Sequence, residues 1–200
     1  PERSGDILAG VAAATAQDAK YFNTKADEIY RNKDYDQAIS NYTSSLSIDP
    51  VNVYAYVWRG NAYGAKKKYD LAISDFTKAI SIDARAADAY NGRANAYSSL
   101  NYIDLAIQDY TTGISLNPAK AWAYSNRGYL FSQKRQFELA IQDYTKAINL
   151  GSQTAYIYNA RAFAYSMKYD YEAALIDISK AISIDPSPDG YYLNRGYYYT

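Results

Sequence analysis

The sequence predicts an all-α fold, a solenoid of stacked antiparallel helix pairs, and two observations lead there. Shifting the 200-residue chain by 34 positions lays it over itself, so that Tyr56, Tyr90, Tyr124, Tyr158 and Tyr192 share a column that Phe22 begins. Ala38, Ala72, Ala106, Ala140 and Ala174 form a second column without exception. A fixed period of this size marks an array of repeated supersecondary units. Within each period, two apolar stretches recur with i, i+3, i+4, i+7 spacing, which is the pattern of two amphipathic helices. One helix pair cannot bury its own apolar faces, so neighbouring pairs must stack.

Taken in order, residues 1–18 read as an N-terminal leader or helix. The stretch "ILAGVAAATA" (7–16) resembles the end of a secretory signal, but Asp6 abuts it and the upstream part is "PERSGD", so a helix or leader is the expected reading. Five units follow at 19–52, 53–86, 87–120, 121–154 and 155–188. In the second, Tyr56, Gly60 and Tyr63 share one face, while Tyr69, Ala72, Ile73, Phe76, Ala79 and Ile80 share another. "KKKYD" (66–70) separates the two helices and "IDARA" (82–86) closes the unit. Small residues such as Gly60, Ala72 and Ala79 let the axes approach, and the column Tyr42, Phe76, Tyr110, Tyr144 and Ile178 fills the gaps between them. Residues 189–200 read as the first-helix start of a sixth, truncated repeat, with Tyr192, Arg195, Gly196 and Tyr199 in register. On this reading the chain is a piece cut from a longer array.

These columns resemble the tetratricopeptide repeat, whose signature is Trp-x2-Leu-Gly-x2-Tyr, then Ala-x3-Phe, then Pro. The second unit supplies Tyr56, Arg59, Gly60 and Tyr63, then Ala72 and Phe76, and Ala84 where the proline would stand. Pro50, Pro118 and Pro186 fill that slot in the first, third and fifth units, and Ser152 replaces it in the fourth. The resemblance implies a right-handed superhelix whose concave surface, made by the first helix of each unit, binds a protein or peptide segment. Its inward positions then fall on Tyr54, Asn61, Asn91, Asn95, Trp122, Tyr129, Tyr156, Asn159, Phe163 and Tyr197. The row is polar in the middle and aromatic toward the C-terminal end, which suits an extended peptide: amides for its backbone, rings for its apolar side chains. One subfamily clamps a C-terminal carboxylate with basic residues. Asn95 and Asn126 fit that clamp's asparagines, but its basic positions are absent here.

A second periodic pair carries charge. Arg59, Arg93, Arg127 and Arg161 each have an aspartate 16 residues on, at Asp75, Asp109, Asp143 and Asp177. An antiparallel hairpin with its turn near the midpoint brings these positions together, so the expectation is a repeated bridge between paired helices rather than an anion-binding ladder.

Composition narrows the function. Lys plus Arg number 21 and Asp plus Glu number 21, so there is no basic excess for a phosphate backbone, and nucleic acid is not an expected partner. The chain has no cysteine and no histidine. Thiol nucleophiles, disulfides, Cys/His zinc sites and histidine bases are therefore excluded. No Gly-rich phosphate loop occurs, and neither a cofactor nor a metal site is expected. No apolar run approaches the roughly 18 residues of a membrane span. The expected function is a non-catalytic protein–protein interaction scaffold. The alternatives are a self-assembling solenoid that associates through its C-terminal repeat, and the targeting arm of a larger protein. Location is left open, cytoplasm by default, with secretion or periplasm also compatible.

Overall fold

The computed structural model describes residues 2–199, with side chains described at 15 and 17–199. Among these residues the fold is all-α and holds no strand. It is a solenoid-class arrangement of stacked helix pairs that divides into two units, residues 1–102 and 103–200.

The first unit contains α1 (Glu2–Arg31), α2 (Tyr35–Ile48), α3 (Val53–Ala65), α4 (Tyr69–Ile82) and α5 (Ala87–Ser99). Helix α1 packs on α2 and α3 on α4, with α2 against α3, and α4 and α3 against α5. The stretch 7–16 lies within α1. Its reading as a signal remnant falls on side chains outside the described residues. The second unit contains α6 (Ile103–Leu116), α7 (Ala121–Gln133), α8 (Phe137–Asn149), α9 (Ala155–Ser166), α10 (Tyr171–Ile184) and α11 (Asp189–Tyr198). Each of these helices packs on the next, and α7 also touches α9. No helix among the described residues is long and apolar enough to cross a membrane.

The turn inside each pair is the same device used five times. Lys33, Lys67, Asn101, Arg135 and Tyr169 all have positive φ, between 58° and 64°. In the second pair, Lys67 N–H donates to the Gly64 carbonyl at 2.9 Å and Lys68 N–H to the Tyr63 carbonyl at 2.9 Å. This double bond pattern is a Schellman cap, which satisfies the last carbonyls of the first helix and turns the chain sharply.

The closing turn between pairs is equally regular. Asp49, Asp83, Asn117 and Asp185 each accept, through Oδ1, the N–H two residues on. The fourth pair lacks an acid or amide there and has Gly151, at φ +95°, where only glycine sits without strain.

The core is a file of small residues and rings. Ala38, Ala72, Ala106, Ala140 and Ala174 are each fully buried, as are Tyr42, Phe76, Tyr110, Tyr144 and Ile178 within 2%. Phe76 fits because Gly60 and Gly92 flank it, where a β-carbon would stand 2.9 Å and 2.4 Å from its ring. Close helix approach and aromatic filling therefore require each other.

Candidate concave binding surface

Helix-pair geometry sets the arginine column first. Arg59 donates Nε to Asp75 Oδ2 at 2.8 Å and Nη2 to Oδ1 at 2.7 Å. Arg127 grips Asp143 in the same way at 2.8 and 2.8 Å, and Arg161 grips Asp177 at 2.7 and 2.8 Å. Each guanidinium also lies against two rings of its own helix, Tyr56 and Tyr63 in the case of Arg59. Its remaining Nη1 donates to a threonine 16 residues earlier: Thr43 for Arg59, Thr111 for Arg127 and Thr145 for Arg161. Arg93 likewise donates to Thr77 and lies against Tyr90 and Tyr97, and Asp109 is buried in the second unit. These arginines are consumed by structure. The Thr column went unnoticed in the sequence although its 16-residue offset mirrors that of the aspartates. A further column at offset 30, Lys66 to Asp36, Lys134 to Asp104 and Lys168 to Glu138, pairs neighbouring repeats at the surface.

In the first unit the predicted groove residues separate into three settings. Asn61 and Asn95 line one cavity of about 300 Å³ with Gly60, Gly64, Phe76 and Gly92. Tyr54 lies in another, of about 210 Å³, with Asp27, Tyr30, Arg31 and Trp58. Asn91 corrects the prediction, because it is fully buried and offers nothing to a groove. The cause is α5 itself: Ala89, Gly92, Ala94 and Ala96 are so small that α3 and α4 close over it. Neither its amide nitrogen nor its oxygen has a hydrogen-bond partner among the described residues.

In the second unit the structure brings four predicted residues together. Tyr129, Tyr156, Asn159 and Phe163 line one cavity of about 390 Å³, with Tyr144 at its buried side. Tyr129 comes from α7 and the other three from α9. Phe163 is held edge-on by Phe137, with centroids 6.2 Å apart. Asn159 Oδ1 accepts from Asn194 Nδ2 at 3.1 Å, which leaves its own amide N–H₂ to donate. Burial, reinforced by the neighbouring Tyr129, raises the Tyr156 phenol above its ordinary value, so that phenol is neutral at pH 7. Trp122 and Tyr197 do not line this cavity. Trp122 is exposed and packs edge-on against Tyr110, and Tyr197 is exposed beside Tyr198. Among the described residues no group of three or more His, Cys, Asp or Glu could hold a metal ion.

Comparison with known proteins follows the same frame. Two family models, both described as tetratricopeptide repeat, match residues 53–85 and 121–151, and residues 87–120 and 155–188. No curated sequence matches the chain. Among solved structures, the MamA protein is 25% identical over 85% of this chain and 93% of its own, with a TM-score of 0.73. YrrB, described as a TPR protein with an unusual peptide-binding site, is 22% identical over 90% and 92%, with a TM-score of 0.73. A tetratricopeptide repeat protein from Parabacteroides merdae ATCC 43184 is 22% identical over 92% and 73%, with a TM-score of 0.74. The last two likenesses concern the fold alone.

Proposed function

Since the chain belongs to the tetratricopeptide repeat family, whose members mediate protein–protein interaction, we propose that it is a non-catalytic scaffold that binds an extended partner segment. The repeats run over 19–52, 53–86, 87–120, 121–154 and 155–188, with a sixth begun at 189–200. The observation that carries the binding site is the convergence of Tyr129, Tyr156 and Phe163 around one cavity with a free amide donor at Asn159. An apolar or aromatic side chain of the partner fills the cavity while the amide meets its main-chain carbonyl. Rings of this kind, half exposed on rigid helices, concentrate binding energy at little entropic cost. Asn61 and Asn95, which line a cavity of the first unit, are separate polar candidate positions there.

Panning a random peptide library on the protein tests this. Enriched peptides carry a bulky apolar anchor, and they lose binding to Tyr129→Ala/Phe163→Ala while the variant keeps its helical melting transition. Enrichment without an apolar anchor, or equal binding to the double variant, overturns the assignment.

A second reading rests on α11 and its C-cap, where Tyr192, Leu193, Tyr197 and Tyr199 are 42%, 73%, 66% and 71% exposed. Apolar surface so concentrated favours self-association. Light scattering over a concentration series gives a rising mass on this reading and a constant monomer mass otherwise.

A further inference from the structure

We propose that the first unit carries a cage for a trimethylammonium group bearing a nearby anionic group, a small zwitterion of the betaine or phosphocholine type. The cavity of about 210 Å³ is lined by Asp27, Tyr30, Arg31, Tyr54 and Trp58. That is roughly seven waters' share of liquid volume, room for the methylated head and a short tail. The Tyr30 and Trp58 rings stand at 78° with centroids 5.4 Å apart, and Tyr54 tilts at 45° to Trp58 at 6.0 Å. All three rings line this one cavity, and none stacks flat on another. A quaternary ammonium donates no hydrogen bond, and aromatic faces are the groups that hold its diffuse charge.

The polar groups complete the fit. Asp27 accepts Tyr42 Oη–H at 2.6 Å and Tyr54 Oη–H at 2.5 Å. Both donors are hydroxyls that bring no charge of their own to the carboxylate beside the rings. Arg31 donates Nε to the Asp27 main-chain oxygen at 3.2 Å, which fixes its guanidinium at the rim. Its terminal nitrogens have no partner among the described residues. A cation there opposes a plain ammonium and favours one whose own anionic group reaches the guanidinium.

The repeat itself does not require this arrangement. In the later repeats the Tyr30 column holds Gly64, Ser98, Ser132 and Ser166, and the Trp58 column holds Gly92, Asn126 and Ala160. Smaller residues therefore serve the architecture at both positions, and the cage is peculiar to the junction of the first and second repeats. The site is separate from the peptide cavity of the second unit, so either assignment can fail without the other.

Calorimetric titration of the full chain with phosphocholine, glycine betaine, choline and the neutral isostere 3,3-dimethylbutanol tests the proposal. The zwitterions bind tightest, choline more weakly and the isostere least. Trp58→Leu, which keeps an apolar side chain but removes the aromatic face, weakens the zwitterions by about tenfold. Arg31→Gln abolishes their advantage over choline and leaves choline binding as strong or stronger. Trp58 packs against the Ala26, Tyr42 and Ala55 core. If its variant fails to fold, Tyr54→Leu at an exposed ring must show the same loss. An isostere that binds as well as choline, no saturable binding of any probe, or ring variants that bind like the parent overturns the cage.

Discussion

Arg59 and Asp75 form a two-pronged bridge between the helices of one pair, at 2.8 and 2.7 Å, with side chains only 17% and 7% exposed. Removing one partner leaves a charge with little water to replace it. Arg59→Ala is expected to cost about 3 kcal/mol in urea unfolding, because an orphaned buried carboxylate is more costly than a missing pair. The double variant Arg59→Met/Asp75→Leu should lose less than the single one. A double variant at least as unstable as Arg59→Ala would show that the bridge contributes net stability beyond satisfying its own charges.

Phe76 and Gly92 give the second prediction. A methyl group at Gly92 would sit 2.4 Å from the ring of Phe76, whereas one at Gly64 would meet nothing within 4 Å. Gly92→Ala should destabilise by about 1–3 kcal/mol through overpacking. Gly64→Ala, in the same unit and within a helix, should stabilise by about 0.5–1 kcal/mol by lowering the entropy of the unfolded chain. Thermal melting of the two variants should move in opposite directions.

The columns were legible because a 34-residue period ties chemistry to position, and the Arg–Asp offset of 16 follows from a hairpin folded at its midpoint. Burial within a column was not legible. Asn91 and Asn159 occupy equivalent positions, yet Asn91 is sealed by close approach to an alanine-rich helix and Asn159 stays half-buried, bonded to Asn194. The cavity at Tyr129 and Phe163 depends on how rings from two helices tilt, which periodicity does not encode. The cluster at Asp27 was not legible, because its two tyrosine donors come from different helices, 15 and 27 residues away.

The left-handed turn residues offer a third test. Arg135 and Tyr169 adopt φ of 59° and 63° at the position after a helix end, where glycine carries no β-carbon penalty. Tyr169 is 81% exposed, so its side chain adds little packing beyond its edge contact with Tyr171. Tyr169→Gly and Arg135→Gly should each raise stability by about 0.5–1 kcal/mol. A loss at Tyr169 with a gain at Arg135 would assign the difference to the Tyr171 contact.

The buried tyrosines determine how the protein responds to alkali. Burial is the main cause that raises the phenols of Tyr42, Tyr110 and Tyr144, and the Asp27 carboxylate raises Tyr42 further. In the folded chain these groups hold their protons past the ordinary value of 10.0, while the unfolded chain releases them there. The folded state then binds more protons than the unfolded one, so stability is unaffected below pH 10 and falls as pH rises above it. Phenolate absorbance should show these buried tyrosines ionising only together with loss of helical circular dichroism. Tyr42→Phe removes one of these protons and should flatten the alkaline decline, though it lowers stability at neutral pH by about 1 kcal/mol or more through the lost bond to Asp27. A single reversible titration with helicity unchanged would contradict the burial of these hydroxyls.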